Sequence, residues 1–212
     1  MKANSAPGKS TAREAILDTA ERLFAEQGIE AVSLRAINTE AGYSVAALHY
    51  HFGTRERLID ELIERRQDPI LERRQALLEA LAQEEKPDIH RITEALVLPM
   101  AELIFHNPDR GLRTIKFFFQ TYMDQANHQR VRRVIEESYR IFDRLLVRAL
   151  PHLDKALLHQ RWVLATELTF QGLANIDSII TRPRFRNAER NYRRYTAQLV
   201  DFIAGGLAAE ER

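Results

Sequence analysis

Apolar residues recur along this chain at intervals of three and four, with charged residues between them, and no stretch alternates convincingly with a period of two. Ile16, Leu17, Ala20, Leu23 and Phe24 share one helical face. Thr11 and Glu14 precede them as a T-x-x-E capping box, which satisfies amide groups left open at a helix start, and Gly28 supplies the stop. Ser33 is placed to cap a second helix with Leu34 and Ile37 that runs to about Ala41, where Gly42 breaks it. Ser44 caps a third through Val45, Leu48 and Phe52; Gly53 ends it, and Thr54 caps a fourth carrying Leu58, Ile59, Leu62 and Ile63. Residues 11–66 are expected to form a compact cluster of short helices with apolar inner faces.

Prolines punctuate the rest of the chain. Pro69 opens or kinks a helix holding Ile70, Leu71, Leu77, Leu78 and Leu81. Pro87 precedes a helix over about Asp88–His106, kinked at Pro99, and Asn107-Pro108 marks a turn. Helices are expected over about Gly111–Asp124, Gln129–Leu150, Asp154–Ile180 and Asn187–Leu207, with a connector starting at Arg182-Pro183. Phe117-Phe118-Phe119 alone would suit a strand, but helical sequence flanks it on both sides. The expected fold class is all-α: residues 11–66 as one domain, and residues 67–212 as a larger helical one.

Composition narrows the chemistry. The 212 residues are 45% hydrophobic and 29% charged, enough apolar material for a real core and too few prolines for wholesale disorder. Net charge is +1, so neither a polycationic coat nor an acidic tail is present. The absence of cysteine removes disulfides, thiolate metal sites and a cysteine nucleophile. The longest uncharged stretch, Ala41 to Thr54, is too short to span a membrane. Met1–Ser10 reads as a loose arm with Lys2 and Lys9 but no apolar core, so no secretory leader is expected and a cytoplasmic setting is.

The informative block is Ser33–Phe52, SLRAINTEAGYSVAALHYHF: two short helices joined by a turn on Ala41-Gly42-Tyr43-Ser44. That is the spacing of a helix-turn-helix, whose second helix lies in the DNA major groove. Packing Leu34, Ile37 and Leu48 inward leaves Ser33, Arg35, Ser44, His49 and Thr54 free to meet phosphates or bases. Many helical hairpins also turn on a glycine. Charge does not decide between the two readings, because residues 1–66 hold nine Lys and Arg against ten Asp and Glu.

The stretch from about Ala12 to Ile63 resembles the amino-terminal domain of TetR-family transcriptional regulators. The matching features come in order: a helix ending Ala25-Glu26-Gln27-Gly28, then Val32-Ser33-Leu34-Arg35-Ala36-Ile37, Ala41-Gly42-Tyr43-Ser44, Leu48-His49-Tyr50-His51-Phe52 and Thr54-Arg55-Glu56-Arg57-Leu58. The resemblance implies a three-helix helix-turn-helix domain that binds a palindromic operator as a dimer, and a later domain that binds an effector. It implies a phosphate-contacting hydroxyl at Ser33, a base or phosphate contact from Arg35 and a recognition-helix cap at Ser44. Val45, Ala46 and Ala47 take the exposed recognition positions. His49 and Tyr50 match an aromatic pair whose first member contacts phosphate, and Arg55 matches a basic phosphate contact at the fourth helix. Removal of Arg55 is then expected to weaken all sequences alike and flatten the salt dependence. This chain departs from the family pattern at the apolar Val45-Ala46-Ala47, which directs readout toward thymine methyls, Arg35 or DNA shape. It departs at His49, where tyrosine is usual and where a histidine gains charge below about pH 6.5. It departs also at Asn38, which is open to capping, to DNA contact or to solvent.

In the second domain Met100, Phe105, Phe118, Tyr122, Phe142, Trp162, Thr166 and Phe170 are the candidates to line an effector pocket, and a simple core is the alternative reading. An aromatic lining suggests an apolar or aromatic small molecule. His106, Glu167, Gln171 and Asn175 are polar candidates for orienting it, or surface residues. The last two amphipathic helices, with Leu168 on one and Phe202 on the other, suit either a four-helix homodimer interface or burial within one chain. Arg182, Arg184, Arg186, Arg190, Arg193 and Arg194 crowd the final connector and read as a solvated loop. No Gly-rich phosphate loop, H-E-x-x-H or nucleophile elbow occurs, and the His49-x-His51 pair has no carboxylate cluster beside it, so no enzyme, metal or cofactor is expected. The expected function is a ligand-responsive repressor; the alternative is a helical small-molecule carrier that does not bind DNA.

Overall fold

The computed structural model describes residues 11–180 and 188–210, without the side chains of 125, 128, 131–138 and 188. The Met1–Ser10 arm and Arg182, Arg184 and Arg186 lie outside the described residues. Ten α-helices and no strand occur among those described: α1 (Ala12–Gln27), α2 (Leu34–Ala41), α3 (Val45–Phe52), α4 (Arg55–Ala82), α5 (Ile89–His106), α6 (Pro108–Met123), α7 (Gln125–Ala149), α8 (Lys155–Ala174), α9 (Ile176–Ile180) and α10 (Ala188–Ala208). The expected all-α class holds, and Phe117-Phe118-Phe119 is helical.

The first three helices start where the sequence places their caps. Thr11 Oγ1 accepts the Glu14 amide and Glu14 accepts the Thr11 amide at 3.0 Å, completing the capping box. Ser33 Oγ accepts from the Ala36 amide and Ser44 Oγ from the Ala47 amide. Gly42 closes α2 at φ +75°, a left-handed conformation that a side chain would strain.

The expected boundary near residue 66 is not a break. α4 runs unbroken from Arg55 to Ala82 with Pro69 inside it. Pro69 lies on the exposed face, where water can take the carbonyl it orphans. The helix expected over Asp154–Ile180 is interrupted at Asn175, dividing α8 from α9. α6 begins at Pro108, in the proline-tolerant first position, with Asn107 as its cap.

α6 also packs very closely on α5. A Cβ on Gly111 would overlap the Leu103 carbonyl, so this crossing requires glycine. α1 also packs against α6. Phe24 stacks on Phe117 with ring centroids 6.2 Å apart, making the core continuous between the N-terminal helices and the rest.

One buried polar cluster reinforces that junction. Glu21 of α1 is fully buried and accepts Arg66 Nη2 of α4 at 2.5 Å and Thr114 Oγ1 of α6 at 2.6 Å. Arg66 Nη2 also reaches Asp18 at 3.1 Å. Sequence reading treats Glu21 as one of the charges between apolar positions, because neither partner is near it in the chain.

Candidate nucleic-acid interface and effector cavity

α2 and α3 present the expected surface. Ser33, Arg35, Ser44, Val45, Ala46, His49 and Tyr50 are exposed and Ala47 is half-buried, while Leu48 and Ile37 are fully buried behind them. Tyr50 is 86% exposed, an unusual setting for an aromatic ring, and meets His51 edge-on at 5.2 Å. The Ser33 and Ser44 hydroxyls accept helix amides, which leaves each O–H proton free to donate to a phosphate oxygen. Arg35 has no side-chain partner among the described residues.

Acids elsewhere in these helices are largely paired, which is why net charge is uninformative here. Arg22 bridges Glu26 and Glu40, Arg13 meets Glu61 at 2.7 Å, Arg65 and Arg66 hold Asp18, and Arg130 of α7 reaches Asp60. A segment with as many acids as bases therefore still leaves Arg35 and Arg57 exposed and, among the described residues, unpaired.

Two residues differ from expectation. Arg55 does not project as a phosphate contact. Its half-buried guanidinium donates to the Val32 and Ile29 carbonyls and lies 5.6 Å from the Phe24 ring centre. Those carbonyls belong to the α1–α2 loop; Arg55 satisfies that of Val32 and joins the Val32 amide on that of Ile29. Asn38 neither caps nor faces solvent. It is 2% exposed and its amide has no hydrogen-bond partner among the described residues.

His49 is exposed with Nδ1 2.8 Å from the Gly53 carbonyl. A carbonyl only accepts, so Nδ1 carries the proton. The neutral ring then turns an acceptor lone pair outward at Nε2. Only the imidazolium can donate to a phosphate from this position.

The aromatic cluster of the second domain encloses space. Met100, Phe118, Phe142, Trp162, Thr166 and Phe170 line one cavity. Two candidates fall outside it. Phe105 lies beneath Arg193 of α10, whose guanidinium is 4.5 Å from the ring centre, and Tyr122 stacks on Phe170 at 5.0 Å rather than lining the space. The polar candidates also lie elsewhere: His106, Glu167 and Gln171 are exposed and Asn175 caps α8.

Sequence reading misses the wall supplied by α4: Ile63, Gln67, Ile70, Leu71 and Arg74. Their spacing of three and four was a legible signal, but a helix divided at Pro69 hides it. Arg74 is 6% exposed. Its Nε and Nη2 donate to the Ala95 and Leu96 carbonyls of α5 at 3.3 and 3.2 Å. Pro99 lacks the amide that would otherwise bond Ala95, so Arg74 satisfies an acceptor freed by that proline. Burial pushes the guanidinium down to about 10, which leaves it charged near neutrality.

Comparison with known proteins gives this arrangement a family. The sequence profile of bacterial regulatory proteins of the tetR family matches residues 16–62, and that of the tetracyclin repressor-like C-terminal domain matches residues 94–206. Over 61 residues, 29% of this chain, it is 39% identical to the HTH-type transcriptional repressor KstR2 of Rhodococcus jostii (strain RHA1). That match spans 30% of the relative's length. A TetR-like transcriptional regulator from Rhodococcus sp. RHA1 superposes over 97% of this chain and 100% of its own, with TM-score 0.65 and 15% identity. The ketosteroid transcriptional regulator KstR2 of Mycobacterium tuberculosis superposes over 93% of this chain and 97% of its own, with TM-score 0.61 and 19% identity. These are likenesses to regulators rather than to enzymes, and the two profiles together take in the helix-turn-helix and most of the cavity-bearing helices. The chain belongs to the TetR family of bacterial regulatory proteins.

Proposed function

We propose that this protein is a dimeric, ligand-responsive transcriptional repressor acting in the cytoplasm. One observation carries the reading: α4 is a single helix whose start braces the α1–α2 loop through Arg55 and whose middle walls the cavity. Between those points Arg66 locks α4 to α1. An occupant of the cavity displaces α4, and α1 with its attached helix-turn-helix moves with it. Two recognition helices set for half-sites about one DNA turn apart then lose that spacing. The effector must prefer the non-binding arrangement, since equal affinity for both shifts nothing.

A dimer is supported by apolar surface on the last long helices. Leu164 is 57% exposed and Leu168 40% on α8, and Phe202 is 70% exposed on α10. With Ala165, Ile203 and Gly206 they border one shallow hollow. A second copy would cover it, and a two-fold pair of recognition helices matches a palindromic site. No helix among the described residues is long and apolar enough to cross a membrane.

Selection of duplexes from a random DNA pool at one stated salt concentration tests the reading. A recovered palindrome supports it; no enrichment by folded protein leaves either a required corepressor or the carrier alternative. Arg35→Ala is expected to weaken the selected operator by about 1–3 kcal/mol and relax preference at one base pair. Uniform loss across sequences would remove the base-reading role.

A further inference from the structure

The cavity holds a charge that no described residue neutralises. Arg74 is buried, and its acceptors are two neutral carbonyls. No carboxylate pairs with it among the described residues. The surrounding wall is mostly apolar, with Ile70, Leu96, Met100, Phe118 and Phe142, and also carries Tyr139 and Gln67, whose buried Oε1 accepts no hydrogen bond among the described residues. A buried, unpaired guanidinium is costly, and an anion brought to it relieves that cost.

The geometry of the free edge is informative. Nε and Nη2 face α5 carbonyls, which leaves the end-on pair of Nη1 and the second Nη2 proton without a partner among the described residues. That edge matches the two oxygens of a carboxylate. A second donor on the same wall is also unsatisfied: Trp162 is 2% exposed and its Nε1–H has no acceptor among the described residues. The Thr166 and Thr169 hydroxyls are not available in the same way, because they donate to the Trp162 and Ala165 carbonyls of their own helix. One cation in an apolar cavity balances one negative charge; a dianion would leave a net charge buried.

We propose that the effector is a monoanionic amphiphile, a carboxylate with an apolar body, whose headgroup docks on Arg74. This rests on the cavity being the effector site. The carboxylate would engage α4 itself, two turns beyond Arg66, so occupancy and the α1 lock share one helix.

Trp162 is the chain's sole tryptophan and lines the cavity, so its emission reports occupancy directly. Octanoate, octanamide and octanol share a chain and differ in headgroup. Titration of the full-length protein is expected to show octanoate binding about tenfold or more tightly than the other two. Arg74→Met should abolish that preference while keeping octanol binding, and Arg74→Lys should keep part of it. The wild-type series stands if a variant fails to fold. Equal binding of all three probes overturns the anion assignment but leaves the effector site intact. No change in Trp162 emission with any probe overturns both.

Discussion

Arg66→Ala is expected to destabilise the fold by about 3–5 kcal/mol, because it strands Glu21 as a buried carboxylate with only the Thr114 hydroxyl for company. For a chain of this size the melting temperature should fall by roughly 10 °C. The loss comes mainly from the orphaned charge, so pairing Arg66→Met with Glu21→Leu should recover much of it. Thermal and urea unfolding of the two single variants and the double check this. If the singles lost under about 1 kcal/mol, the typical range for exposed pairs, water would have to reach Glu21. The double variant has a second use. Its α1, α4 and α6 would be packed without the ionic lock, so operator release by effector should be blunted if the lock transmits movement from α4 to α1.

Phe202→Glu should produce the second large effect. Phe202 stands 70% exposed beside Leu164 and Leu168. In the proposed two-fold dimer each copy brings its own glutamate to this face, and desolvating like charges there costs several kcal/mol. Sedimentation velocity should show monomer at concentrations where the wild type is dimeric. Because the residue is exposed within one chain, far-UV circular dichroism and the melting of the isolated chain should change little. Specific operator affinity should fall steeply, since one helix-turn-helix alone makes too few base contacts. A variant that stayed dimeric would place the interface elsewhere on the surface.

These two substitutions divide along the line between local and tertiary information. Helix starts were legible because a cap is a local event: Thr11, Ser33, Ser44 and Thr54 each accept an amide within three residues. The inward face of the helix-turn-helix was legible from spacing, and Ile37, Leu48 and Phe52 are buried as the period requires. The exposed positions from Ser33 to Tyr50 came by subtraction. The cavity was legible in part. Six of its residues were among those named from the aromatic cluster, but Phe105 and Tyr122 share that chemistry and face elsewhere.

Polar residues were the poorest guide. Arg55, Arg66 and Arg74 sit on one helix; Arg55 was expected to contact phosphate, and nothing near Arg66 or Arg74 in the chain marks them out. Arg55 instead satisfies loop carbonyls, Arg66 locks α1, and Arg74 takes up an acceptor freed at Pro99. In each case the partner lies at least 21 residues away in the chain, so no local pattern encodes it. Of the two readings of Pro69, as a helix start or a kink, the start fails, because a proline on a solvated face interrupts the hydrogen-bond ladder without ending the helix.

The sequence by itself determined the all-helical class, the caps and turn of the helix-turn-helix and the family, since each depends on residues close in the chain or on motif order. Only the tertiary structure decided that α4 is continuous from the α1–α2 loop to the cavity, that Glu21 and Arg74 are buried, and that Arg74 has a free edge. Burial and pairing depend on which helices meet, and that is set by packing between segments far apart in the chain.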